Sequence, residues 1–163
     1  MEEIQKRIIE KFGNRLRIRV CGICIEHGKI LLINHKSLNR HGDFWAPPGG
    51  GMDFGFSAEA NLIREFLEET GLKIEIEKFL FVHEYLHPPL HAIELIFKVK
   101  RVGGLLNVGF DPEMGKGEQI IKEVKFIPID RLMHFTKGSL HQMFNDKAPD
   151  YLDDLKGYFL SAE

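Results

Sequence analysis

Three glutamates in the middle of the chain are the residues best suited to chemistry. On a helix predicted over residues 58–70, Glu65, Glu68 and Glu69 fall within about 100° of one another. Like charges at this spacing repel each other, so a bound cation would stabilise them. Clustered carboxylate oxygens suit Mg²⁺ or Mn²⁺, and a solvated, glutamate-rich helix face is the alternative. The opposite side of the helix is expected to face the core and consists of Ala60, Ile63, Phe66 and Leu67.

The segment before this helix combines rigid and permissive residues. Residues 47–51 read Pro-Pro-Gly-Gly-Gly. A glycine backbone can come close to a ligand and can offer a carbonyl oxygen to the same cation. Ser57 is a suitable N-cap for the helix, and Gly71 is a suitable residue to end it.

A second group of polar side chains lies near a Pro-Pro turn. His83, Tyr85 and His87 share one face of a predicted strand, and His91 follows the turn. Three histidines suggest zinc, but zinc-module spacing is missing and the nearby acids favour a hard ion. We expect a polar wall of a substrate cleft, or else an exposed strand face. Trp45 could stack on a base, although a tryptophan beside a proline-rich turn is also a common core residue.

Composition narrows the functional classes. The 163 residues include 22 Lys plus Arg and 24 Asp plus Glu, a net charge of −2. The chain therefore lacks the basic excess of proteins that bind bulk nucleic acid. No apolar run approaches the roughly 18 residues of a membrane span. Acidic residues follow Met1 where a secretory signal would be basic, which predicts a cytoplasmic protein. Cys21 and Cys24 would lie on opposite strand faces, as small core residues.

The remaining pattern predicts a mixed sheet flanked by helices, an α/β fold. Alternating and continuous apolar runs predict strands over 16–25, 29–34, 72–87, 90–101 and 122–129. Residues 1–13 have helical spacing, and residues 35–43 and 103–119 are expected to be loops. Two short helices are expected around Pro149.

The segment from Gly50 to Leu72 resembles the signature box of the Nudix hydrolases. Phe56 stands where that box has its first glutamate, and Phe66 where an aliphatic residue is usual. Glu68, one turn after Arg64, is the expected replacement partner for that arginine. Seven of the nine specified positions agree: Gly50, Arg64, Glu65, Glu68, Glu69, Gly71 and Leu72.

The resemblance implies a Nudix-like α/β/α sandwich with a mixed β-sheet, in which the box forms a loop, a helix and a loop. Residues 15–132 are the expected Nudix domain. Residues 1–14 are expected to form an N-terminal amphipathic helix, and residues 133–163 a C-terminal helical extension packed on the same domain. These terminal segments could instead pair two chains in a homodimer.

The same resemblance implies a metal-dependent hydrolase of a diphosphate bond in a nucleoside diphosphate linked to another group. Glu65 and Glu69 would bind Mg²⁺ or Mn²⁺, with Glu68 sharing the site and the Gly49 carbonyl completing it. The base would be one of these glutamates or Glu118 in the following loop, with Glu113 in reserve. The expected substrate-binding residues are Arg64, Trp45, His83, Tyr85, His87 and His91.

Several substrates and roles stay open. Pro88 lies sixteen positions after Leu72, where some ADP-ribose hydrolases similar to this chain carry proline. This favours ADP-ribose or a nucleotide sugar, with nucleoside triphosphates next. The Phe56 departure raises the alternative of a non-catalytic nucleotide sensor. A diphosphate isomerase with a catalytic cysteine is disfavoured because both cysteines lie in a predicted buried strand.

Overall fold

The computed structural model describes residues 2–36, 42–111, 119–144 and 157–162. These residues form a mixed α/β fold with few helices and a mixed sheet, as the sequence predicts. In chain order the elements are α1 (Glu2–Phe12), β1 (Arg15–Glu26), β2 (Lys29–Lys36), β3 (Asp43–Ala46), β4 (Gly49–Gly51), α2 (Ala58–Thr70), β5 (Leu72–His87), β6 (Leu90–Gly104), β7 (Ile121–Pro128), 3₁₀ helices at Ile129–His134 and Gln142–Phe144, and β8 (Tyr158–Ala162).

Strand β1 lies at the centre of the sheet. It runs parallel to β6, with Arg15 to Cys24 beside Leu90 to Val99. Its other edge pairs antiparallel with β4, where Cys21 lies opposite Gly49. Strands β5 and β6 form a long antiparallel pair, and β8 pairs in parallel with β5. This arrangement brings the glycine strand β4 next to β1.

A second group of strands joins the first through a hairpin. Residue Ile25 of β1 pairs with Ile30 of β2. Strand β2 then continues between β3 and β7, and both pairings are antiparallel. The short strands β3 and β4 flank the Pro-Pro dipeptide, so the sheet fixes both ends of that segment.

The core consists of two apolar clusters divided by the sheet. One contains Cys21 and Ile23 and is closed by Leu132, Leu140, Met143 and Phe144. The other contains Val20 and Cys24 and is closed by Leu62 and Phe66 of α2. Successive side chains of β1 alternate between these clusters, as a strand buried on both faces requires. Both cysteines are buried and free, which confirms the prediction for them.

The C-terminal region differs from the sequence prediction. Residues Tyr158–Ala162 form strand β8, not a helix, because they pair with Val82 to Leu86 of β5. Residues 142–144 form a 3₁₀ turn that buries Met143 and Phe144. Pro149 lies outside the described residues, so the helices expected around it stay a prediction. None of the helices in the described part of the chain is long and apolar enough to cross a membrane.

Candidate active site

Helix α2 carries the acidic residues of the site and has well-defined ends. The Ser57 hydroxyl accepts a hydrogen bond from the Ala60 N–H at 3.1 Å, which caps the first turn. Gly71 ends the helix with a left-handed φ of 72°, and its N–H donates to the Leu67 carbonyl. The prediction of a helix from Ser57 to Gly71 is confirmed.

The orientation of α2 differs from the prediction. Phe66 faces the core as expected, but Ile63 and Leu67 are 42% and 49% exposed. Ala60 is exposed as well. The inward face instead consists of Asn61, Leu62, Glu65, Phe66, Glu69 and Thr70. Two of the three glutamates therefore point into the protein and not towards solvent.

Glycines of β4 make this orientation possible. The side chain of Glu65 is 1% exposed and packs directly against Gly50. A Cβ atom at Gly50 would lie 2.5 Å from Glu65 Cδ, so any larger residue would displace the carboxylate. Gly49 has a φ of 151° and no room for a side chain, since a Cβ there would overlap the Val20 carbonyl. The absence of side chains in the Gly-Gly-Gly segment thus leaves the space that the carboxylates occupy.

Glu69, one helical turn after Glu65, contacts the same glycine segment. Its Oε2 accepts a hydrogen bond from the Gly49 N–H at 2.9 Å. Burial raises the pKa of Glu69 well above its usual value, and the neighbouring Glu65 charge adds to this effect although the Gly49 N–H opposes it. A cation beside the two carboxylates would stabilise their ionised forms.

Arg64 links the acids of this region. Its guanidinium lies 2.9 Å from Glu65 Oε1 and 2.8 Å from Glu68 Oε2. It also lies 3.1 Å from Asp53 Oδ2, a partner that the sequence reasoning missed. Phe56 is 65% exposed and takes no part in this network. Glu68 therefore replaces the missing partner as predicted, and Asp53 provides a second one.

The donor set fits a hard divalent cation. Buried carboxylate oxygens from Glu65 and Glu69 face a glycine backbone, and hard ions prefer such oxygen ligands. Glu68 is 26% exposed and is held by Arg64 at the edge of this pair. When bound, the cation would neutralise a diphosphate and lower the pKa of water.

A cleft of about 510 Å³ opens beside this pair. Its lining includes Glu69 and Gly49 as well as Tyr85, His87 and His91. The rings of Tyr85 and His87 stack with their centroids 4.4 Å apart. The structure thus places these three strand residues around one cleft with the acid site, while Arg64 lies in the acid network.

Trp45 and His83 do not line this cleft. Trp45 is 8% exposed and packs edge-on against Phe135. His83 is 1% exposed, and its Nδ1 lies 2.8 Å from Glu94 Oε2. These positions make Trp45 a core residue and His83 a buried partner of Glu94.

Several cleft residues were not singled out from the sequence, because distant segments supply them. Arg19, His35, Glu94, Asp111 and His141 all line it. No local motif joins these positions: Arg19, His35 and Glu94 lie on β1, β2 and β6, while Asp111 and His141 come from segments outside the strands. Glu118 and Glu113 lie outside the described residues, so their roles stay predictions.

The loop after β6 contacts the end of α2. The N–H groups of Asn107, Gly109 and Phe110 donate to the carbonyls of Thr70, Glu69 and Glu68 at 3.0, 2.9 and 3.1 Å respectively. A side chain at Gly109 would overlap the Glu68 carbonyl, so glycine is required there. Further along, Gln119 both donates to and accepts from the Asp111 backbone.

Known proteins share the sequence pattern and the fold. The NUDIX domain profile matches residues 13–148. The ADP-ribose pyrophosphatase of Methanocaldococcus jannaschii is 33% identical over 133 residues, covering 79% of this chain and 73% of that protein. The crystal structure of a UDP-X diphosphatase is 25% identical with a TM-score of 0.57, covering 79% of this chain and 59% of that chain. The MutT protein of Methanosarcina mazei Go1 has a TM-score of 0.64 at 19% identity, covering 86% and 93%.

A mixed sheet that seats two helix-borne carboxylates beside a polar cleft is the architecture of a Nudix pyrophosphohydrolase. The chain belongs to the NUDIX domain family, as the profile match over 13–148 shows. The resemblance noted between Gly50 and Leu72 is thereby confirmed.

Proposed function

We propose that this protein hydrolyses the diphosphate bond of ADP-ribose with Mg²⁺ or Mn²⁺ as cofactor. Water adds across one P–O–P linkage, and the products are AMP and ribose 5-phosphate. The proposal is supported chiefly by the buried Glu65 and Glu69 pair, which is seated on Gly49 and Gly50 beside a cleft large enough for a nucleotide. The choice of ADP-ribose rests on the relative from Methanocaldococcus jannaschii.

The residues of the acid site have different proposed roles. Glu65 and Glu69 are the proposed cation ligands, together with the Gly49 carbonyl, and Glu68 shares the site from its edge. Arg64 contacts both Glu65 and Glu68 and so holds the carboxylates in place, which gives it a positioning role. A carboxylate must also accept the proton of the attacking water.

Two carboxylates are candidates for the general base that accepts this proton. One is Glu69, whose pKa is raised by its burial, which makes it a stronger base than an exposed glutamate. Glu118 is the second candidate. Its neighbour in the sequence, Gln119, is hydrogen-bonded to Asp111, and Asp111 lines the cleft. A Glu118→Gln variant separates them: a loss of kcat of about 100-fold or more assigns the base to Glu118.

Tyr85, His87 and His91 are the proposed contacts for the rest of the substrate. The Tyr85 and His87 rings already stack on each other and could extend the stack to a base. His91 Nε2 lies 2.6 Å from Glu84 Oε1, which orients the imidazole on the cleft wall.

The direct test is turnover by purified protein. We expect AMP and ribose 5-phosphate to form from ADP-ribose in Mg²⁺, and excess EDTA to stop the reaction. Glu69→Gln should abolish turnover, while Glu59→Gln, at an acidic position in the first turn of the same helix, should not. Turnover that continues in EDTA, or ADP-ribose that stays intact at several metal concentrations, would overturn the proposal.

Nucleotide sugars are the second candidate substrates. The 25% identical UDP-X diphosphatase favours them, so UDP-glucose belongs in the same assay. Nucleoside triphosphates are the third class of substrate to be tested in this assay. A kcat/KM for UDP-glucose above that for ADP-ribose would shift the assignment while leaving the site unchanged.

A further inference from the structure

Arg19 is a cation that lines the same cleft as Glu69 and His35. On β1 it lies opposite Gly51 of β4 and beside Glu94 of β6. Its side chain is 30% exposed, and it lines the cleft. Its charge lowers the pKa of Glu69 and also that of His35. Arg19 is therefore within electrostatic reach of the proposed cation site and of His35.

Glu94 is the neighbour of this arginine on the adjacent strand, and its side chain is buried. Its side chain is 6% exposed, and its Oε1 lies 3.6 Å from Arg19 Nε. The other oxygen, Oε2, lies 2.8 Å from His83 Nδ1 and 3.0 Å from His141 Nε2. The partners of this one carboxylate thus come from three elements other than its own strand β6: β1, β5 and the segment after Leu140.

The hydrogen bonds of His141 decide whether the cluster of His83, Glu94 and His141 is a metal site or a hydrogen-bonded network. The three ligand-type atoms of His83, Glu94 and His141 lie within 4.8 Å of one another, a spacing that a metal could use. However, His141 Nδ1 accepts a hydrogen bond from the Met143 N–H at 3.2 Å. A backbone N–H can only donate, so the ring proton lies on Nε2 and points at Glu94. The cluster is a hydrogen-bonded network around Glu94, since a metal would need the Nε2 lone pair.

This network keeps Glu94 ionised despite its burial. Burial alone would raise the pKa of Glu94, but His141, His83 and Arg19 hold it well below the usual value. The carboxylate is then a fixed negative charge at the back of the cleft. At 3.6 Å from Arg19 Nε it attracts the guanidinium without a close hydrogen bond to that nitrogen.

We propose that Arg19 binds a phosphate group of the diphosphate substrate, and that Glu94, anchored by His83 and His141, positions its guanidinium. The planar fork of arginine matches two phosphate oxygens, which suits it to this task better than lysine. A bound diphosphate would lie between Arg19 and the cation at Glu65 and Glu69, so that positive charge surrounds it. The inference rests on the proposed function for its ligand class, a diphosphate, and not on the identity of the nucleoside.

The first test measures binding without turnover. Methylenediphosphonate, a diphosphate that cannot be hydrolysed, is titrated by calorimetry into wild type and variants in Mg²⁺. Arg19→Ala should weaken binding about 10- to 100-fold, and Arg19→Lys by less. Arg101→Ala is the matched control, because Arg101 also pairs with a glutamate on the same two strands, Glu26 at 2.9 Å, but does not line the cleft.

The second test separates binding from folding in the turnover reaction. Arg19→Ala should raise KM at least about tenfold while kcat changes by less than about threefold. Millimolar guanidinium should restore part of the lost affinity in Arg19→Ala and leave the affinity of Arg101→Ala unchanged. Thermal unfolding of each variant shows whether the chain is folded.

The third test concerns the positioning role of Glu94. Glu94→Gln keeps the shape of the side chain but removes its charge, and should raise KM about three- to tenfold. If Glu94 acts through Arg19, the double variant should be no worse than Arg19→Ala alone. Additive losses would refute the positioning role.

The outcomes distinguish this inference from the proposed function. Unchanged methylenediphosphonate affinity in Arg19→Ala overturns the inference alone, provided that wild type binds the probe and hydrolyses ADP-ribose. Failure of wild type to bind any diphosphate overturns both. Zinc that binds wild type in excess Mg²⁺ and is lost in His141→Gln would show a metal site in place of the Glu94 network.

Discussion

Glu69 combines two requirements that oppose each other, a buried position and an ionised form. Its raised pKa means that the folded chain holds this proton more tightly than the unfolded chain does. An unfolded glutamate titrates at about 4.3. Between that value and the raised folded value, the folded chain binds more protons, so stability falls as pH rises.

Replacing Glu69 with Gln should therefore separate activity from stability. We expect Glu69→Gln to lose activity by at least about 100-fold, yet to unfold in EDTA at pH 8 no more readily than wild type. Thermal unfolding between pH 5 and 8 checks this, with the partly exposed Glu68→Gln as control. A clearly lower unfolding temperature for Glu69→Gln would contradict the electrostatic account.

His35 has the opposite dependence on pH. Burial lowers its pKa to about 3, with further lowering by Arg19 and His141. Its Nδ1 is buried without a hydrogen-bond partner. The unfolded imidazole has a pKa of about 6.5, so wild type should lose stability as pH falls below that value, by about 1.4 kcal/mol per pH unit from this group.

The matched variant is His35→Gln. Its unfolding free energy should decline less steeply between pH 6.5 and pH 4 than that of wild type, as measured by urea denaturation. His27, in the turn between β1 and β2, provides the control variant His27→Gln. Equal slopes for wild type and His35→Gln would show that His35 is protonated in the folded state.

The orientation of helix α2 decides which of its residues support the fold. Phe66 is fully buried, whereas Leu67 is 49% exposed. Phe66→Ala should cost about 3 to 5 kcal/mol of unfolding free energy, and Leu67→Ala less than about 1 kcal/mol. Chemical denaturation measures both, and comparably large losses for the two variants would mean that the helix buries Phe66 and Leu67 together, as the apolar pattern first predicted.

That helix also shows where sequence reasoning stops. The caps Ser57 and Gly71 define its ends locally, so its extent could be predicted. Its inward face could not, because Glu65 and Glu69 look like solvent-facing residues until Gly50 is placed beneath them. Burial here depends on a neighbouring strand, and helical periodicity carries no information about that strand.

The strands show the same division. The alternating runs of β1, β5 and β6 predicted these strands from side chains alone. Strand β4 consists of three glycines and β3 of four residues, so neither has a pattern to detect, and both exist through pairing with longer strands. The contact of Glu94 with His83 depends on the register between β5 and β6, and its contact with His141 joins segments far apart in the chain, so neither could be predicted from the sequence.

For the whole molecule, the acid pair predicts a stabilising effect of the cofactor. A ligand that binds only the folded chain adds about 2.7 kcal/mol at one hundred times its dissociation constant. Saturating Mg²⁺ should thus raise the unfolding temperature of wild type and leave that of Glu69→Gln unchanged. Differential scanning calorimetry with and without EDTA checks this, and an equal rise in both proteins would place the binding elsewhere.

The loop that follows β6 is tied to the helix that carries the acids. Gly109 and Phe110 donate to the carbonyls of Glu69 and Glu68, so these two loop amides complete the last turn of α2. Their hydrogens should exchange with deuterium at the slow rate of the helix and not at the fast rate of a surface loop. Mass spectrometry of this peptide would then report on the integrity of the carboxylate site itself, and fast exchange there would show that the two segments move independently.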